Sequence, residues 1–128
     1  KKTQSGKLRI LVAEDDRINQ KLVKAYFKRM GKDCDIAENG QVALDMLKEK
    51  RYDILLLDIQ MPVMDGVQTV MEIRRDDTIK DIHVIALTAN AVKGDREKYI
   101  AAGCDDYLSK PVTYETLVER IEGIEKKK

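Results

Sequence analysis

The sequence predicts an α/β fold in which five parallel strands alternate with five helices in a doubly wound sheet, all within 128 residues. Three observations predict it. Short β-branched or aliphatic runs recur at Arg9–Ala13, Asp35–Ala37, Asp53–Leu57, His83–Thr88 and Asp106–Ser109. Stretches with apolar residues at helical spacing separate them. The third run, Ile54-Leu55-Leu56-Leu57, is apolar throughout, as a strand covered on both faces must be. Strands alternating with helices give a parallel sheet with right-handed crossovers.

Each helix has its own signals. The first carries an Ile18, Leu22, Tyr26, Met30 stripe and stops at Gly31. Asn39 can cap the second, which carries Val42, Ala43, Met46 and Leu47. Asp65-Gly66 opens the third, with Val67, Val70, Met71 and Arg74. The fourth runs from about Val92 to Ala102, before Gly103. Thr113 can cap the fifth, with Leu117, Ile121 and Ile124. Two capping boxes are incomplete: Asn19 stands three residues after Asp16, and Thr116 three after Thr113, where an acid or amide would close the box.

Composition narrows the function. Hydrophobic residues at 43% supply a core, under a surface fed by 37% charged residues. With 24 basic and 23 acidic residues the net charge is +1, which argues against direct nucleic-acid or membrane binding. No apolar run is long enough to span a bilayer, and Lys1–Lys7 has no apolar signal-like core. Cys34 and Cys104 lack a C-x-x-C or a histidine cluster, so they read as two small buried thiols in a reducing cytosol. The lone His83 has no nucleophile placed to use it and reads as structural or exposed.

The polar residues sit where chemistry is expected. In open α/β sheets, ligands bind beyond the carboxyl ends of the strands. Strand one ends in Glu14-Asp15-Asp16, strand three in Asp58, strand four in Thr88, and strand five in Lys110 followed by Pro111. A parallel sheet brings these to one edge. Two carboxylates about 4 Å apart repel by roughly 4 kcal/mol at an effective dielectric near 20, so the acidic run needs a cation. Clustered carboxylates suit Mg²⁺, which takes one or two of them, keeps several waters, and often binds phosphate oxygens. Lys110 adds a compact positive charge and Thr88 a hydroxyl donor. A carboxylate nucleophile can form an aspartyl phosphate.

Four stretches carry a family resemblance. They are Ile10–Asp16, Leu57-Asp58-Ile59-Gln60-Met61-Pro62-Val63-Met64-Asp65-Gly66, Ala86-Leu87-Thr88-Ala89-Asn90, and Tyr107-Leu108-Ser109-Lys110-Pro111. In that order they resemble the receiver domain of two-component response regulators, the CheY-like family. The resemblance covers residues 8–125 and leaves 1–7 as linker or tail and 126–128 as tail. It implies a (βα)5 sheet of flavodoxin-like strand order 2-1-3-4-5. It makes Asp58 the phosphoacceptor and Glu14 and Asp15 the acidic pair, Glu14 reaching Mg²⁺ through water. A three-acid run permits a one-residue slip, and the spacings from Asp15 to Asp58 and to Gly40 favour this pairing, leaving Asp16 to cap helix one. Gln60 would give its backbone carbonyl to the metal. Thr88 and Lys110 would contact the phosphoryl group, with Thr88 and Tyr107 forming the switch. Gln60 and Asn90 would tune hydrolysis, and Lys110-Pro111 would be cis.

The implied function is a phosphorelay step. A histidine kinase or histidine phosphotransfer domain donates the phosphoryl group, and the face of helix four, strand five and helix five changes shape. Helix one would dock the donor with its first turn and exposed flank, its stripe being mainly core. That switching face could also support a weak homodimer. The receiver assists its own phosphorylation and dephosphorylation without being an enzyme. The wording of the motifs is most similar to receivers of hybrid sensor histidine kinases, with Thr3-Gln4-Ser5-Gly6 as linker and a cytoplasmic location. An FMN site is disfavoured, because Glu14-Asp15-Asp16 would repel the phosphate. A haloacid-dehalogenase-type phosphatase needs an acid two residues after its nucleophile, and Gln60 stands there. The remaining alternative is a receiver-like module that binds partners without phosphorylation.

Overall fold

A computed structural model describes residues 8–61, 63–89 and 93–127. Five strands, β1 (Ile10–Ala13), β2 (Cys34–Ala37), β3 (Ile54–Asp58), β4 (His83–Thr88) and β5 (Asp106–Ser109), form one parallel sheet in the order β2-β1-β3-β4-β5. Five helices connect and follow them: α1 (Arg17–Arg29), α2 (Gly40–Glu49), α3 (Gly66–Arg75), α4 (Lys93–Ala102) and α5 (Tyr114–Lys126). The expected fold class and strand order are both observed. Helix α5 continues to Lys126, into the expected tail. Among the described residues no helix is long and apolar enough to cross a membrane.

The sheet is buried on both faces because side chains alternate along each strand. Leu11, Ala13, Leu55, Leu57, Val84 and Ala86 pack on one face with Leu44 and Leu47 of α2, Val70 and Ile73 of α3, and Tyr99 of α4. Ile10, Val12, Ile54, Leu56, Ile85 and Leu87 pack on the other with Val23 and Phe27 of α1 and Leu117 and Ile121 of α5. The inner strands β1, β3 and β4 therefore feed two cores, which explains their apolar runs, whereas the edge strands β2 and β5 carry Asp35, Asp106 and Ser109 and are only partly buried.

The helix starts follow the local signals. Asp16, Asn39, Asp65 and Thr113 each accept a backbone N–H of the first turn. Thr116 N donates to Thr113 Oγ1 at 3.2 Å, and the two threonine hydroxyls lie 2.7 Å apart, a side-chain contact that does not close the capping box. Gly31 follows α1 at φ +78°, a conformation that costs glycine little.

Two helix stripes are rotated from expectation. In α1 the buried residues are Val23 and Phe27, while Ile18 is 77% and Leu22 39% exposed. Tyr26 and Met30 are half-buried. The apolar surface of α1 is wider than the sheet can cover, and Phe27, its largest apolar side chain, takes the central position. In α3 the buried residues are Gly66, Thr69, Val70 and Ile73, whereas Met71 is exposed. Thr69 takes the close approach to α2, since a Cβ on Gly40 would lie 2.1 Å from its Oγ1.

Candidate functional site

Parallel pairing brings the carboxyl ends of β1 and β3 side by side, with Ala13 opposite Leu57, one residue before Asp58. Glu14, Asp15 and Asp58 each offer a carboxylate oxygen, and these all lie within 4.8 Å of one another. Glu14 is 1% and Asp58 2% exposed, whereas Asp15 faces solvent. Asp16 stands outside this group and caps α1 through Ile18 N at 2.8 Å. Only the Glu14–Asp15 pairing therefore puts both acids beside Asp58.

The buried acids are held by specific donors. Gln60 N donates to Asp58 Oδ1 at 3.0 Å. Lys110 Nζ donates to Asp58 Oδ2 at 2.8 Å and lies 3.4 Å from Glu14 Oε1. Asp16 N donates to Glu14 Oε2 at 3.1 Å, and the Gln20 amide donates to the Glu14 carbonyl at 2.6 Å. Burial pushes the Glu14 carboxyl up, and repulsion from Asp58 adds to it, against the Asp16 N–H and Lys110. Burial alone would lower Lys110, but the Asp58 and Glu14 carboxylates outweigh it and raise the ammonium above its ordinary value.

The backbone around the site is closely fitted. A Cβ on Gly66 would lie 2.6 Å from Ile59 Cα and 3.0 Å from Asp58 O, so only glycine lets α3 start against the end of β3. Lys110 N donates to Thr88 O at 2.9 Å, which ties the loop after β5 to the end of β4. The Lys110-Pro111 bond is cis.

Not every expected residue converges on Asp58. The buried Thr88 directs its Oγ1 to the hydroxyl of Tyr99, 3.2 Å away. Tyr107 is half-buried, with Arg96 Cζ 5.4 Å from its ring centroid. Asn90 lies outside the described residues. His83 is half-buried at the opposite end of β4. The sequence reading names as site residues neither Gln20, which bonds the Glu14 carbonyl, nor Tyr99, whose hydroxyl meets that of Thr88 beside the site. The signal for Tyr99 was present, as one large aromatic on a helix that otherwise ends in Ala101-Ala102.

The donor set favours a small hard cation. It offers carboxylate oxygens only, two of them buried, and has no sulfur or imidazole ligand. An attacking oxygen of Asp58 would sit beside both that cation and Lys110. Two surface hollows, each about 500 Å³, lie near Tyr52 at the far end of the sheet, away from this chemistry.

Comparisons with known proteins agree with this geometry. Residues 10–122 match the response regulator receiver domain family. Hybrid signal transduction histidine kinase I of Dictyostelium discoideum is 42% identical over 88% of this chain, which spans only 7% of that kinase. The polar-differentiation response regulator DivK of Brucella anthropi is 36% identical over 89% of the chain and 93% of its own length. The receiver domain of a sensor histidine kinase from Pseudomonas aeruginosa, solved with magnesium in its active-site cleft, superposes with a TM-score of 0.84. It is 35% identical, covering 91% of this chain and 96% of its own.

Proposed function

The chain belongs to the response regulator receiver domain family of two-component systems, and from that premise we propose that Asp58 takes a phosphoryl group from a phosphohistidine. One observation carries this reading: a buried carboxylate with an ammonium at 2.8 Å and two further acids within 4.8 Å. An acidic cluster buried for structure alone would cost stability without return.

In the transfer, an oxygen of Asp58 forms a bond to phosphorus as the P–N bond of the donor breaks. The imidazole leaves with the electron pair of that bond. Lys110 sits where charge on the phosphoryl oxygens can be met without reorganisation. Asp15 and Asp58, with Glu14 through water and the Gln60 carbonyl, are the residues that would hold Mg²⁺. When bound, the ion would neutralise phosphoryl and carboxylate charge. Water later attacks the acyl phosphate, releases inorganic phosphate and restores the carboxylate. Gln60 and Asn90, which stand in the sequence two positions after Asp58 and Thr88, are the residues we expect to tune that hydrolysis.

The donor is a histidine kinase or a histidine phosphotransfer domain. Ile18 and Leu22 form an exposed apolar strip at the start of α1, next to the acidic cleft, and Val63 is exposed on the loop after β3. A helical phosphohistidine protein could seat on that rim. Both a hybrid-kinase context and a free-standing receiver fit the relatives, and the hybrid wording of the motifs favours the first; the location we propose is the cytoplasm. On phosphorylation the face of α4, β5 and α5 would change through Thr88 and Tyr107.

Intact-mass analysis after incubation with acetyl phosphate, with and without Mg²⁺, tests the reading. A Mg²⁺-dependent gain of one phosphoryl group that disappears in Asp58→Asn is expected. No adduct in the parent, with beryllofluoride binding also absent, would overturn it.

A further inference from the structure

Helix α4 is fastened by little. Among its residues from Arg96 to Ala102, only Tyr99 is buried. Two side chains three residues apart, and so on one side of the helix, contact residues of the sheet, Tyr99 buried and Arg96 exposed. The Tyr99 hydroxyl lies 3.2 Å from Thr88 Oγ1. The Arg96 guanidinium carbon lies 5.4 Å from the Tyr107 ring centroid, within cation–π reach. The helix thus touches both switch residues, one on β4 and one on β5, through two side chains with no role of their own in the site.

We propose that Tyr99 and Arg96 form a two-point latch that holds α4 against the resting switch, with the Tyr99 hydroxyl competing with the phosphoryl group for the hydroxyl of Thr88. This rests on the receiver reading above. A threonine hydroxyl has one proton, and a phosphoryl oxygen can only accept. If Thr88 donates to Tyr99 at rest, that bond must break before the proton reaches the phosphoryl group. If Tyr99 donates instead, Oγ1 still has to leave it, because χ1 of a β-branched residue moves between discrete wells. Either way a buried phenol loses a partner. Leaving it unpaired is unfavourable, and moving α4 outward lets water replace the lost bond. The same movement separates Arg96 from Tyr107, whose ring is then free to turn. Tyr99 and Arg96 are positioning residues that convert the capture of Thr88 into displacement of a lightly anchored helix.

Tyr99→Phe tests this, because it keeps the buried ring and removes only the hydroxyl. With Mg²⁺ present, beryllofluoride should bind about fivefold more tightly than to the parent, equivalent to about 1 kcal/mol. A residue that merely packs would lower thermal stability and leave that affinity alone. Unchanged or weaker affinity overturns the proposal. Arg96→Gln, at an exposed position, should tighten binding about twofold, and no change removes Arg96 from the latch. A second readout needs no phosphoryl chemistry. Three-bond couplings of Thr88 should report a shifted χ1 rotamer population in unliganded Tyr99→Phe relative to the parent; identical couplings in both overturn the latch. If the parent binds no beryllofluoride and gains no phosphoryl group, the receiver reading fails, and the Thr88 couplings still decide the latch.

Discussion

Lys110 holds two buried carboxylates at once, Asp58 at 2.8 Å and Glu14 at 3.4 Å. Its charge is kept by their attraction against its own burial. Removing it leaves both acids buried without their cation. Breaking a buried ion pair costs about 3–5 kcal/mol, and the open side of the cluster at Asp15 lets water recover part of that. Lys110→Met should therefore lower unfolding stability by about 2–3 kcal/mol in metal-free buffer. Mg²⁺ should restore more stability to the variant than it adds to the parent, since a cation then fills the role the ammonium had. Urea unfolding with and without Mg²⁺ checks both halves, and a metal-free variant as stable as its parent would show the pair is not what holds the cluster. The residues of this cluster were legible in the sequence because each follows a strand, and a parallel sheet leaves strand ends no other place to go. Tyr99 was not legible, because its contact with Thr88 depends on how α4 crosses back over the sheet.

At the scale of elements, local physics and tertiary packing divide the outcome. Asp16, Asn39, Asp65 and Thr113 cap their helices as read, since an N-cap needs only its own first turn. The spacing of Ile18, Leu22, Tyr26 and Met30 does not fix the rotation of α1, because four apolar residues at helical spacing do not say which of two adjoining stripes meets the sheet. Val23 and Phe27 won the core, and Ile18 and Leu22 were left at the surface beside Asp15 and Asp16. The exposure of Ile18 and Leu22 has a functional consequence. Surface positions of this kind change stability by about 0.5 kcal/mol or less, so Ile18→Ser with Leu22→Ala should leave the fold intact. Phosphotransfer from a phosphohistidine protein should slow about tenfold through weaker docking, as loss of apolar contact worth roughly 1.4 kcal/mol would give. Labelling by acetyl phosphate should not change, because a small donor needs no docking strip. Parallel rate measurements with the two donors separate these, and equal loss with both would place Ile18 and Leu22 in the chemistry rather than in recognition.

Across the whole molecule, the two ends of the sheet carry opposite tasks. The carboxyl end gathers acids at a cost to stability, and the amino end ties the sheet together. There the Tyr52 hydroxyl donates to Asp35 Oδ2 at 2.6 Å, Lys50 reaches the same oxygen at 3.2 Å, and Arg9 N donates to Asp53 at 2.8 Å. The Tyr52 bond, with help from Lys50, holds the Asp35 carboxyl below its ordinary value. Burial, then the bond to Asp35, pushes the Tyr52 phenol well above its own. A depressed carboxyl contributes stability that is present above its unfolded value, near 3.8, and is lost as pH falls below it. A raised phenol works from the other side. Above its unfolded value, near 10, the unfolded chain gives up a proton that the folded chain keeps, so stability falls as pH rises. Tyr52→Phe should therefore cost about 1 kcal/mol near neutral pH, a modest figure because Asp35 is still partly open to water. The difference from the parent should shrink below pH 4 and again above pH 10. Phosphoryl uptake at Asp58 should stay unchanged, since the substitution lies at the opposite edge of the sheet. Urea unfolding of both proteins across pH 3–11 measures the difference, and a gap that stays flat through either limb would mean the Tyr52–Asp35 bond is not what links stability to pH there.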